Sequence, residues 1–338
     1  MLRINIVGAG VVGSATGAGF AAHGHRVQLV DTNPARIAEL RSRGCRAALP
    51  GEVDWAAADI SMISVNTPTD DDGVDLSAMR AAIRTLGHGL AGSTAPHVVV
   101  VRSTVPPRTT QDVVRPLLEA ASGRRIGVNL GLAMNPEFLR QRTAEDDFRR
   151  PWLTVFGTVG EREASLLQSL YEPFEAPIIA TDVTTAEVIK YAHNLYNATK
   201  ISFFNEFHLV CEELGVDSRT IGEVVSRSAE GMWRPEYGTR GGRAYDGACL
   251  PKDTRGFLAF AQSLGIQMPL LRATIAVNGL MEGLQRPDVH AVPAAESADQ
   301  GTHLAEARSP EAPRRRAMAS VTRRRWLTLR RARPAQAA

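Results

Sequence analysis

A short β-branched strand at Ile4 to Val7 runs straight into G-A-G-V-V-G (Gly8 to Gly13), then a helical stretch to about His23, then a second strand, R-V-Q-L-V-D, ending at Asp31. No other stretch restricts the fold as tightly, because each part has its own physical task. Gly8 suits a tight turn out of the strand, Gly10 lets the backbone approach a diphosphate, and Gly13 allows close helix–strand packing. The helix start at Val11 and Val12 supplies unpaired N–H groups and positive potential to phosphates. Asp31 lies 23 residues after Gly8, about where an acid binds the adenosine ribose hydroxyls, and its charge repels a 2′-phosphate. The unit predicts an NAD site rather than an NADP site, with Gly8, Gly10, Val11, Val12, Gly13, Asp31 and Arg36 around the cofactor. The glycines alone fit a turn without ligand; the ordered strand, turn, helix, strand and acid say more.

The alternation continues. Ile60 to Val65 reads as a strand ending in N-T-P-T, a helix follows from about Leu76, and V-V-V-V-R (Val98 to Arg102) is another strand leading into S-T-V-P-P. Strands alternating with helices predict a doubly wound, Rossmann-type parallel sheet with its ligand at the carboxyl ends of the strands. Thr67 and Thr104 sit at such ends, where a hydroxyl either faces the cofactor or caps the next helix. Glu137, in N-P-E-F-L-R, follows another strand end in the same crevice, and by itself it also fits a plain loop carboxylate.

Beyond the sheet, residues 184–214 contain neither Pro nor Gly and predict one helix about 45 Å long, enough to link two domains and offer a dimer surface. Glu187, Lys190, Asn194 and Asn197 fall on one face of it among mostly apolar neighbours. Such a stripe either faces water or needs buried partners; in the second case Lys190 and Asn194 form a donor pair aimed at developing negative charge. Cys249 stands in Y-D-G-A-C-L-P-K-D, where Pro251 suits the first position of a helix starting just after the thiol. The positive end of a helix favours a nucleophilic thiolate; a small buried cysteine is the plain alternative.

Charge is unevenly spread. Eleven arginines and five acidic residues give Arg286 to Ala338 a net +6, which leaves −3 of the total +3 for the first 285 residues. The body therefore offers no sign of a nucleic-acid groove. The segment 285–338, rich in Arg, Ala and Pro, reads as a disordered tail, with an arginine-rich nucleic-acid arm as the alternative. The opening residues read as a strand rather than a signal peptide, and no run approaches the roughly 18 apolar residues of a membrane span. Three scattered cysteines suggest neither a metal site nor a disulfide framework, so a cytoplasmic protein is expected. The domain reading is 1–180 for the NAD-binding sheet, 181–284 for a helical central region, and 285–338 for the tail.

Taken together, G-A-G-V-V-G, V-N-T-P-T, S-T-V-P-P, N-P-E-F-L-R, A-E-V-I-K-Y-A-H-N, F-F-N-E and C-L-P-K-D, in that order to about residue 283, resemble the UDP-glucose/GDP-mannose dehydrogenase family. The resemblance implies oxidation of the C6 alcohol of a nucleotide sugar, UDP-glucose first, to a carboxylate with two NAD, and a homodimer through residues 184–214. It implies that Cys249 forms the thiohemiacetal and thioester, and that Lys190 and Asn194 stabilise oxyanions. It further implies that Asp253 shares a water with Thr104 or Lys190, and that Glu137 is the base for thioester hydrolysis.

Several positions depart from the family pattern. Asp246 replaces a glycine before the nucleophile, Gln141 replaces a glutamate, Arg108 replaces the glycine after S-T-V-P-P, and the segment from Gly44 to Ala58 is short. The family's third, nucleotide-binding domain should begin soon after Val277 and Asn278, where this chain instead turns into the arginine-rich segment, whose composition suits a shifted reading frame. The competing readings are a single-step hydroxyacid dehydrogenase, which needs no Cys249, and a truncated NAD-binding dimer without turnover.

Overall fold

The opening motif folds as β1 (Arg3–Val7), α1 (Val11–Ala22) and β2 (Arg26–Val30), with the strands parallel and Val7 opposite Val30. A computed structural model describes residues 1–70, 73–239, 241–247 and 249–284, all within one compact unit. The readings made for 285–338 lie outside the described residues.

The chain continues through α2 (Pro34–Ser42), β3 (Ala47–Ala48), β4 (Ile60–Ile63), a small hairpin of β5 (Thr69–Asp70) and β6 (Gly73–Val74), α3 (Ser77–Leu90) and β7 (His97–Val101). It goes on through α4 (Arg115–Ser122), β8 (Leu130–Met134), α5 (Ala144–Arg149), β9 (Thr154–Thr158), α6 (Glu161–Tyr171) and β10 (Ile178–Thr181). Eight of these strands form one sheet in the order β10-β9-β8-β7-β4-β1-β2-β3, parallel in every pair but β8 with β9. The connection between those two contains only the six-residue α5. At about 9 Å it is too short to carry the chain back along the sheet, so β9 enters from the end where β8 left.

Strand alternation sends side chains to two separate cores. Val7, Ile63, Val99 and Val101 meet α3 and α4 on one face, while Ile4, Ile6, Val98 and Val100 meet Phe20, Phe148 and Tyr171 on the other. Both faces are covered, which is why β4, β7 and β8 are apolar runs rather than alternating ones.

The long helix forms as α7 (Val183–Leu214), 32 residues and about 48 Å. Asp182 caps it by accepting from the Thr185 amide at 2.9 Å, and Gly215 ends it in the left-handed conformation at φ 65°. Its first turns pack on the sheet through Val183 and Ala186. The remainder carries α8 (Ser218–Ser228), α9 (Glu230–Trp233), α10 (Leu250–Ser263) and α11 (Pro269–Leu284) around a small core of Val210, Ala261 and Met268. Glu206 accepts the Leu271 amide at 3.1 Å and the Leu270 amide as well, closing the free start of α11.

Candidate active site

The three glycines divide their tasks as the motif requires. Gly8 has φ 96°, and a Cβ there would stand 2.3 Å from the Ser64 carbonyl oxygen; a Cβ on Gly13 would stand 1.9 Å from the Gly8 carbonyl oxygen. Gly10 has nothing within 4 Å of where a Cβ would lie, and it caps α1 without any side chain bonding the first-turn amides. Open space over a bare helix start fits a dinucleotide diphosphate. Asp31 Oδ2 accepts from the Ala9 amide at 2.9 Å and Oδ1 from the Asn33 amide at 2.9 Å. Arg36 grips the same turn from the other side, donating to the Ala9 carbonyl at 2.9 Å and Ser14 Oγ at 3.0 Å. Asp31 and Gly10 line a cavity of about 410 Å³, with Trp55 as an apolar wall.

Gly10 also borders a second crevice of about 370 Å³, lined by Val11, Val12, Thr67, Thr104 and Glu137 among others. Thr67 Oγ1 donates across to the Thr104 carbonyl at 2.7 Å, so its hydroxyl ties two strand-end loops together rather than capping a helix. Gln141 lies in the same crevice.

The polar stripe on α7 splits in two. Glu187 is fully buried and accepts the Arg108 and Thr110 amides, the latter at 2.7 Å. Burial pushes its carboxyl above the ordinary value, against those donors. Arg108 has φ 74°, the left-handed backbone that suits the glycine it replaces, and Glu187 is what holds this turn. Asp246, by contrast, does not have a positive φ. Lys190 is buried and donates to Glu137 Oε1 at 3.0 Å and to the Glu137 carbonyl, while Glu137 Oε2 accepts the Leu139 amide at 2.6 Å. Glu137 is therefore a half-buried, engaged carboxylate and not a free loop acid. Asn194 and Asn197 face solvent, and the latter bonds His193 at 3.1 Å. For this end of the stripe the water-facing reading holds: the neighbouring Leu195, Tyr196 and Ile201 are also more than half exposed, because the sheet reaches only the first turns of α7. His193 stacks on Trp152 and lies beside Phe138; burial and then the charge of Lys190 push its imidazole below the ordinary value, against Glu137.

Cys249 is exposed and forms the N-cap of α10, with its carbonyl accepting the Asp253 amide at 2.8 Å. Pro251 is the second helical residue rather than the first. Asp253 is ion-paired with Lys252 and borders a cavity of about 550 Å³ lined by Phe203, Phe207, Phe257 and Phe260. Among the described residues no hydrogen bond or ion pair joins Cys249 or Asp253 to Thr104, Glu137, Lys190 or Asn194. The structure thus gathers the glycine turn, Thr67, Thr104, Glu137 and Lys190, and leaves Cys249 and Asp253 in a separate cluster.

Three further residues, which the sequence had marked only as motif or boundary positions, shape the site. Asn278 clamps the segment before the thiol, accepting the Tyr245 amide at 2.7 Å and donating to its carbonyl at 3.1 Å. Arg102 and Asn135 form a buried knot beneath the crevice with Thr16 and Tyr171. An arginine closing a run of four valines was the available signal for Arg102; an Asn on a helix face gave none for Asn278.

A family model described as the NAD binding domain of the UDP-glucose/GDP-mannose dehydrogenase family matches residues 2–52 and 48–175, and that of the family's central domain matches residues 184–279. GDP-mannose 6-dehydrogenase of Pseudomonas savastanoi pv. phaseolicola is 38% identical over 298 residues, covering 82% of this chain and 68% of that protein. UDP-glucose 6-dehydrogenase AglM of Haloferax volcanii is 36% identical over 301 residues, covering 82% and 69%. A ternary complex of GDP-mannose dehydrogenase from Pseudomonas aeruginosa matches with a TM-score of 0.78 at 34% identity, covering 83% of this chain and 69% of that one.

Proposed function

The chain belongs to the UDP-glucose/GDP-mannose dehydrogenase family, and from that premise we propose that it oxidises the C6 alcohol of a nucleoside-diphosphate hexose, UDP-glucose or GDP-mannose, to the carboxylate. The observation that carries the reading is the single crevice joining the glycine turn at Gly10 to Thr104 and to Glu137, itself held by Lys190. NAD, held by Gly8, Gly10, Val11, Val12, Gly13, Asp31, Arg36, Thr67 and Thr104, supplies the acceptor for hydride.

The chain's own residues supply the rest. Lys190 and Asn194 stabilise the negative oxygen that develops as the alcohol loses its proton and C6 loses a hydride. Cys249 Sγ then adds to the aldehyde carbon, and loss of a second hydride leaves a thioester. Glu137 takes a proton from the water that splits the thioester, which frees the thiol and the carboxylate, while Asp253 aids proton transfer. Cys249 must reach the carbon whose oxygen Lys190 holds, so the substrate has to bridge the two clusters. The exposed side chains of Leu195, Tyr196 and Ile201 support a second copy seated along α7, and sedimentation of a Leu195→Asp, Ile201→Asp variant tests that contact.

A panel of UDP- and GDP-sugars is the test, with NADH counted per sugar and the protein mass followed. Two NADH per sugar and an adduct on Cys249 are expected. One NADH per sugar would instead identify a single-step dehydrogenase. The absence, among the described residues, of any hydrogen bond or ion pair from Cys249 to Glu137 or Lys190 favours, as the second reading, an NAD-binding dimer without turnover; intact NAD binding with no NADH from any sugar would establish it.

A further inference from the structure

We propose that Arg102 is a fixed, uncompensated positive charge at the hydride-accepting end of the crevice, and that it makes the protein bind the reduced cofactor more tightly than the oxidised one. The proposal rests on the NAD reading of the crevice. Arg102 closes β7 and is only 3% exposed. Its Nε donates to Thr16 Oγ1 at 2.9 Å; its Nη1 donates to Tyr171 Oη at 3.3 Å, to the Asn135 carbonyl at 3.5 Å and to Asn135 Oδ1. The guanidinium lies 5.3 Å from the centre of the Phe148 ring. Every one of these partners is neutral, and Tyr171 stays so because burial pushes its phenol upward. Among the described residues no carboxylate lies within ion-pair distance of Arg102.

The acids bordering the knot are already matched. Glu137 is paired with Lys190 at 3.0 Å, and Asp147 with Arg140 at 2.6 Å. Of the charged side chains lining the crevice itself, Glu137 is therefore matched and Arg102 is left without a partner of opposite sign. A buried cation without a counter-ion is costly, and a fold keeps one where its field has a use.

The geometry gives that field a direction. Gly10 borders both cavities, the one holding Asp31 and the one holding Thr104, Glu137 and Arg102. A dinucleotide with its ribose at Asp31 and its diphosphate over Gly10 sends its nicotinamide end toward Arg102. The oxidised ring carries a positive charge that it loses when it gains a hydride. Arg102 opposes the first form and leaves the second alone, so it favours hydride acceptance from the alcohol. A unit charge acting over about 10 Å at an effective dielectric constant of about 20 changes the affinity ratio by roughly tenfold.

Calorimetric titration of NAD and NADH into the full chain reads this without turnover. The wild type should hold NADH roughly tenfold more tightly than NAD. Arg102→Met should erase most of that preference, and Arg102→Lys, which keeps the charge, should retain it. Asn135→Asp sets a carboxylate against the guanidinium and should also erase it, which keeps the proposal open to test if Arg102→Met does not fold. A merely structural Arg102 would weaken both nucleotides together and leave their ratio alone. Equal or tighter NAD binding by the wild type, or a ratio unchanged within about twofold in both Arg102→Met and Asn135→Asp, overturns the proposal. If neither nucleotide binds the wild type, the NAD reading itself falls and takes the proposal with it.

Discussion

The sheet and the helical region bury their apolar residues on different terms. β4, β7 and β8 are buried throughout, with helices over both faces. α8 has no buried residue, α10 has only Ala261, and α11 only Asn278, while Val224, Trp233, Val277 and Leu280 stand more than half exposed. The two regions are comparable in hydrophobic content but not in what covers it. A doubly wound sheet brings its own cover, because each crossover lays a helix on a face. Helices strung on one long rod have only each other, and here that contact is slight. The NAD-binding domain is thus the self-sufficient region, and Cys249, the proposed nucleophile, stands on the less covered one.

The comparison can be broken in several ways. Cys249→Ser should lower double oxidation by at least about a thousandfold while leaving NAD affinity as it was. A parallel loss of NAD binding would show that the two regions are not separable in function. Acid should strike the sheet through His97, which is buried and held at about 4. Burial is the main cause, and its Nδ1 bonds the Ala58 carbonyl at 2.8 Å. The unfolded chain protonates near the ordinary 6.5, so the unfolded state gains protons first as pH falls. Stability present above that value should decline by about 3 kcal/mol as pH falls from 6.5 through 4. Denaturant titrations across this range check it, and His97→Gln should flatten the decline.

A smaller contrast should appear in hydrogen exchange: amides of β1, β4 and β7 should be protected at least about tenfold more than those of α8 and α10. Equal protection would mean that contacts beyond those described already complete the helical region. The smallest effect belongs to Arg108→Gly, which relieves a left-handed backbone worth about 1 kcal/mol and gives up an exposed, solvent-screened pair with Asp112. Thermal unfolding should show a gain of up to about 1 kcal/mol, and a loss would mean the exposed pair outweighs the strain.

The features legible in the sequence are those that short-range chemistry sets. The glycine turn, its acid and the bounds of α7, expected at 184–214 and found at 183–214, each follow from a handful of adjacent residues, Asp182 and Gly215 included. The reversal of β9 was not legible, because it depends on how little of a connection is helix. Nor was the role of Glu187, which lies far along the chain from the Arg108 turn it holds. Lys190 was singled out for the right reason, that a buried lysine needs a partner, yet nothing local named Glu137 as that partner. The exposure of the α7 flank was left open by the sequence because an apolar pattern tells which face wants cover, not whether this chain provides it.

The rod of α7 is also a lever. It is pivoted at one end by the Glu137–Lys190 pair and loaded toward the other by α11, which leans on Glu206. From Lys190 to Leu214 the arm is about 36 Å, so a tilt of about 5° at the pivot sweeps the far end through about 3 Å. That is well beyond the play of a hydrogen bond, whose length varies by only about half an ångström. Small displacements among buried groups at the strand ends are therefore magnified where the helices are most exposed, and loads applied there return to the crevice reduced in travel and raised in force.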